Sequence, residues 1–98
     1  MTVRAFKLVS GEDIIAELFE TGNDEVYIVK NPAVIVVQRT ESGQVGVGLQ
    51  PYTPFASSSV TLYKSSMIAE FEADMNLVNE YNRIFGTGIV IANTMPGV

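Results

Sequence analysis

Apolar and polar positions alternate with a period of two along much of the first 72 residues, a period that predicts strands. In Val3–Val9, Phe6 and Leu8 fall on one face and Lys7 on the other. Ser10-Gly11-Glu12-Asp13 is a turn signal, Ile14–Glu20 is a second strand, and Thr21-Gly22-Asn23-Asp24 closes it, so the two strands form a hairpin. Val26–Gln38 is a longer β-rich stretch interrupted by Asn31-Pro32, where the missing proline N–H predicts a bend, a bulge or an edge position. Within it, Val34-Ile35-Val36-Val37 is continuously apolar, which predicts cover on both faces. After a turn at Thr40-Glu41-Ser42-Gly43, the stretch Gln44–Gln50 alternates Val45, Val47 and Leu49 with Gly46 and Gly48. One face there is left bare, suited to a close backbone approach.

Pro51–Ser59 is Pro/Ser-rich and reads as a loop. Its Tyr52 and Phe55 either cover one end of the sheet or contact a partner. Val60–Glu72 holds two short apolar runs joined by Lys64-Ser65-Ser66, a polar corner between two strands. Only then does a helical period appear. Asp74 can cap it, Met75, Val78, Asn82 and Phe85 share one face with Leu77, Tyr81 and Ile84 beside them, and Gly86 takes the C-terminal cap position. Gly88–Ala92 reads as a short late strand, followed by a loose tail from Thr94. The pattern predicts one domain over residues 1–98, mainly β: a small, strongly bent antiparallel sheet or open barrel of the SH3-like class, with one C-terminal helix.

Composition narrows the chemistry more than the fold. With no Cys and no His among 98 residues, disulfides, thiolate nucleophiles and Ser-His or Cys-His arrangements are excluded within this chain. Transition-metal sites lose their usual ligands as well, so neither a metal nor another cofactor is expected. Glu70 and Glu72 alternate along a strand, and Glu12, Asp13, Glu17 and Glu20 crowd the first hairpin, reading as solvated polar faces rather than a catalytic set. The Gly-Val-Gly-Leu stretch lacks the spacing of a phosphate loop. No catalytic residues are expected. A net charge of −5 works against general nucleic-acid binding, although a ring or groove can gather a few cations locally. With 47% hydrophobic and 17% charged residues, a chain this short is expected to bury further surface by associating. No apolar run reaches a membrane span and the N-terminus does not read as a signal peptide, so a soluble, cytoplasmic protein is expected.

The stretches LVSGEDIIAEL, NDEVYIVKNPAVIVV and LYKSSMIAEF together resemble the Sm/LSm family, in particular the Sm-like proteins of tailed phages of marine cyanobacteria. Gly11 matches that family's turn glycine, Ala16 its small position and Leu18 its apolar position. Asn23, Val26 and Tyr27 fall on the Asp, Met and Asn of its first motif loop. Tyr63, Lys64, Ser65 and Ser66 fall on its Ile-Arg-Gly-polar loop. The resemblance implies a ring-shaped homo-oligomer closed by edge-strand pairing, with both loops lining an inner rim that binds single-stranded RNA, or DNA, without catalysis. The implied nucleic-acid residues are Asn23, Tyr27, Lys64, Ser65 and Ser66. Three departures stand out: Lys64 lacks the planar fork of the family's arginine, Tyr27 replaces the base-reading Asn, and Glu25 occupies the stacking position. The alternative is a protein–protein interaction or assembly module that uses the same scaffold without nucleic acid, with Tyr52 and Phe55 as its partner contacts.

Overall fold

The computed structural model describes residues 2–19 and 21–86. The expected late strand at 88–92, the tail beyond it, and Glu20 at the end of the second strand lie outside the described residues. Six strands precede one helix. They are β1 (Thr2–Leu8), β2 (Asp13–Phe19), β3 (Val26–Arg39), β4 (Val45–Pro51), β5 (Val60–Tyr63) and β6 (Met67–Phe71), with a single 3-10 turn at Lys64–Ser66 and then α1 (Met75–Phe85). Every ladder is antiparallel. The order is β4-β3-β2-β1-β6, with β5 paired to β3 as well. Among the described residues the sheet does not close, and no described strand pairs with the outer edge of β6 on one side or with those of β4 and β5 on the other. The fold class expected from the alternating pattern is the one observed.

On the edge away from β2, β3 serves two partners because it bends. Its second half, Ala33–Arg39, pairs with β4, and its first half, Val26–Val29, pairs with β5. The joint is the Asn31-Pro32 pair: Ile15 faces Ala33 and Glu17 faces Lys30, leaving two β3 residues opposite Ala16 alone. That is a β-bulge, and it accommodates a proline that cannot donate to the ladder. Asn31 takes a left-handed conformation with φ of 49°, which asparagine tolerates better than most residues.

The bent sheet has a cluster of buried side chains on each face. On one side Phe6, Leu8, Ile14, Ala16, Val29 and Leu62 pack together, with Tyr27 and Tyr52 against them. On the other, Ala5, Ile15 and Ala33 meet Tyr81 of α1, flanked by Leu77 and Phe85. Each large side chain buried in this way contributes ~1.5–3 kcal/mol. One sequence expectation needs correction here. The Val34–Val37 run is not covered on both faces, because α1 reaches Ile35 and stops short of Val37, which is 71% exposed. Within the wide apolar stripe of α1, Tyr81 is fully buried with Leu77 and Phe85 half-buried beside it, whereas Met75 is exposed. A short helix lying on a bent sheet buries the side chains aimed at the sheet's nearest ridge, and the apolar stripe here was wide enough to allow either choice.

The helix ends where the sequence says it does. The Asp74 carboxylate accepts the Leu77 N–H at 3.0 Å, and Gly86, with φ of 62°, donates its N–H to the Asn82 carbonyl at 2.8 Å. The Leu77 N–H also reaches the Asp74 carbonyl at 3.1 Å, so Asp74→Ala removes the carboxylate but not that second acceptor; it is expected to lower stability by about 1 kcal/mol, seen as a lower urea midpoint at unchanged slope. The bare face of β4 meets no backbone, contrary to expectation: the Gln38 side-chain amide lies across Gly48, where a Cβ would sit 2.8 Å from Nε2, and Gly46 faces open space.

Candidate functional site

The register of β3 and β5 brings two distant loops together. Val26 pairs with Tyr63, so the chain entering β3 and the chain leaving β5 are neighbours, and the Lys64 N–H donates to the Glu25 carbonyl at 3.0 Å. The β2–β3 loop is shaped by its own side chains. Thr21 Oγ1 accepts the Asn23 N–H at 2.8 Å, Asn23 Oδ1 accepts the Glu25 N–H at 2.9 Å, and Gly22 supplies a φ of 79°. Side chains of this kind bonding the backbone two residues away replace missing backbone partners in a tight turn. On the other side, Ser66 Oγ donates to the Tyr63 carbonyl at 2.6 Å and closes the 3-10 turn.

Between the loops lies an open pocket of about 190 Å³ whose lining includes Asn23, Asp24, Tyr27 and Lys64 beside Leu18, Phe19 and Val26. Tyr27 forms one of its walls. One side of the ring packs against Phe6, with centroids 5.4 Å apart, and the Lys64 ammonium lies 4.4 Å from the ring centroid. No ion pair involves Lys64 among the described residues; its partner is the π face. The Tyr27 hydroxyl donates to Glu70 Oε1 at 2.7 Å, and Glu70 Oε2 pairs with Arg4 at 3.2 Å. The hydrogen bond to Glu70, followed by burial and the negative charge of Glu70, raises the Tyr27 pKa, with Arg4 opposing. The phenol stays protonated and is held as a fixed platform.

Three of the five residues expected to bind nucleic acid, Asn23, Tyr27 and Lys64, therefore share one pocket. Ser65 and Ser66 are not part of its lining, and Ser66 is committed to the turn. The two aromatics of the β4–β5 loop part company. Tyr52 is half-buried against the first core cluster and donates its N–H to the Pro32 carbonyl at 2.8 Å, whereas Phe55 is 97% exposed. Sequence reasoning read Glu70 as a solvated face and gave Arg4 no role; both hold Tyr27 in place. Only the register pairing Phe6 with Glu70 discloses that, because it sets β6 beside β1. Among the described residues no group of three or more acidic side chains is placed to hold a metal ion, and no helix is long and apolar enough to cross a membrane.

No protein-family model matches this chain, and no curated protein matches it.

Proposed function

We propose that this chain is a non-catalytic, Sm-like binding protein that assembles into a ring and takes single-stranded RNA, or DNA, at the pocket between its β2–β3 loop and its Lys64–Ser66 turn. One observation carries the reading: Asn23, Tyr27 and Lys64, brought from separate loops, converge on one open pocket in which the lysine has no carboxylate partner among the described residues. A nucleobase stacking on Tyr27 displaces the ammonium from the ring face. That forfeits about 0.5–1 kcal/mol of cation–π attraction and gains ~1–3 kcal/mol of stacking, so the exchange favours the base. The released ammonium then meets the phosphate that follows the base. Asp24 in the lining and Glu25 next to it in the chain repel phosphate, so the ligand enters base first.

Ring closure in this proposal uses the outer edge of β6 in one copy and that of β4 or β5 in the next. This pairing covers both edges and repeats each weak contact around the assembly. The test combines two readings on one sample. Light scattering gives a mass several times the 10.7 kDa protomer, and a fluorescent single-stranded oligonucleotide binds at low salt and dissociates as salt is added. A monomer, or an oligomer that leaves the oligonucleotide free at low salt, contradicts the proposal. The second of those results favours an assembly module without nucleic acid, a reading supported by the 97% exposed Phe55 and by exposed Val37, Val45 and Val47.

A further inference from the structure

A second cleft, sharing no lining residue with the Tyr27 pocket, lies where the β4–β5 loop passes over the bulge of β3. It has two adjoining halves of about 230 and 300 Å³ that share Asn31, Ala56 and Ser58 as walls. Together they fall within the roughly 300–1,000 Å³ of small-ligand sites. Their chemistry differs. One half is apolar, formed by Pro32, Pro51, Pro54 and Phe85. The other is polar and cationic, lined by Lys30, Ser57 and Ser58 beside Asn31.

Three features set this cleft apart from an ordinary surface groove. Asn31 lines both halves from a left-handed backbone at the bulge, the kind of irregularity that re-aims a side chain. Thr53 Oγ1, on the wall of the apolar half, is buried and has no hydrogen-bond partner, a state that costs free energy unless something supplies the missing bond. Lys30 is exposed, and its ammonium has no ion pair among the described residues; it lies 5.7 Å from the Phe19 ring centroid. Glu17, its cross-strand neighbour, is buried.

We infer that this cleft binds a phosphomonoester with a planar apolar body, of which a nucleoside monophosphate is the simplest case. The phosphate sits among Lys30, Ser57, Ser58 and Asn31, where an ammonium, two hydroxyls and an amide can all donate. The planar part lies on the proline and Phe85 surface, and the Thr53 hydroxyl gains a partner from the ligand. This inference does not depend on the Tyr27 pocket binding anything.

Calorimetry at low ionic strength with AMP, adenosine and inorganic phosphate separates the contributions. AMP binds more tightly than either fragment. Lys30→Ala weakens AMP and phosphate by about tenfold, the loss of one charged hydrogen bond, and leaves adenosine unchanged. Thr53→Val keeps the side-chain shape and removes the unpaired hydroxyl, so it weakens AMP binding while leaving the free protein at least as heat-stable as before. AMP also carries the base and phosphate proposed for the Tyr27 pocket, so the titrations are repeated in a Lys64→Ala background, where AMP still binds and Lys30→Ala still weakens it. AMP binding no tighter than adenosine, or an affinity untouched by both Lys30→Ala and Thr53→Val, overturns the assignment. Loss of AMP binding in Lys64→Ala also overturns it, because the nucleotide then occupies the other pocket.

Discussion

Tyr81→Ala is expected to cost about 3–5 kcal/mol of stability, the usual loss on truncating a fully buried aromatic side chain. For a domain whose total is ~5–15 kcal/mol, that is enough to leave much of the population unfolded at moderate temperature. The reason lies in what Tyr81 joins. Its ring is completely buried between α1 and the sheet and packs on Phe85 with centroids 4.8 Å apart. Its hydroxyl donates to the carbonyls of Lys30 and Asn31, both at 3.0 Å. Asn31 belongs to the β3 bulge and Lys30 is the paired residue just before it, so the helix fastens the bend on which the pairing of β5 with β3 depends. Tyr81→Phe keeps the ring and removes the hydroxyl, at an expected cost of ~1–3 kcal/mol. Urea unfolding of the two variants orders them; a Tyr81→Phe protein as stable as the parent would show that the bend holds without the hydroxyl's hydrogen bonds.

The same residue gives the fold an alkaline limit. Burial first, and then the charge of Glu17, push the Tyr81 pKa well above its ordinary value of 10.0. Below pH 10 the phenol is protonated in both folded and unfolded chains and adds no pH dependence. Above it the unfolded chain releases the proton first, so stability falls as pH rises, by up to about 1.4 kcal/mol per pH unit for this group. The slope ends only once pH passes the folded value. Tyr81→Phe should flatten the dependence above pH 10, measured by thermal unfolding at a series of alkaline pH values.

What the sequence discloses about this fold follows the range of the interactions involved. The first hairpin, the Asp74 and Gly86 caps and the break at Asn31-Pro32 are written in adjacent residues, and each appears where those residues put it. The sharing of β3 between β4 and β5 depends on pairing across the loop at 52–59, which no local pattern encodes. Val37 misleads for a related reason: a continuous apolar run implies cover, but how far α1 extends along the sheet decides which residues receive it. At the candidate site, Asn23, Tyr27 and Lys64 were legible through the resemblance to a family pattern. The Glu70–Arg4 pair behind Tyr27 was not, since it arises from the β1–β6 register and carries no spacing of its own.

The other large effect is expected at Lys64. Removing its ammonium takes away the cation that the pocket offers to a phosphate, and in a ring the loss recurs in every copy. Each engaged copy that loses the contact lowers the slope of affinity against salt by about one. Lys64→Ala should therefore bind a single-stranded oligonucleotide at least tenfold more weakly at low salt, with a shallower salt dependence. Lys64→Glu adds a third carboxylate where Asp24 lines the pocket and Glu25 adjoins it in the chain, and should abolish binding. Neither change touches a core contact, because Lys64 Nζ meets the protein through the Tyr27 ring face, so fold and oligomer size should be unaltered.

Fluorescence anisotropy of a labelled single-stranded oligonucleotide, titrated in parallel with parent protein and Lys64→Ala of matched oligomer size, decides whether the Tyr27 pocket binds nucleic acid. Saturable binding by the parent at low salt and at least a tenfold loss in the variant are expected. Equal affinity in the two proteins would contradict the proposed binding there.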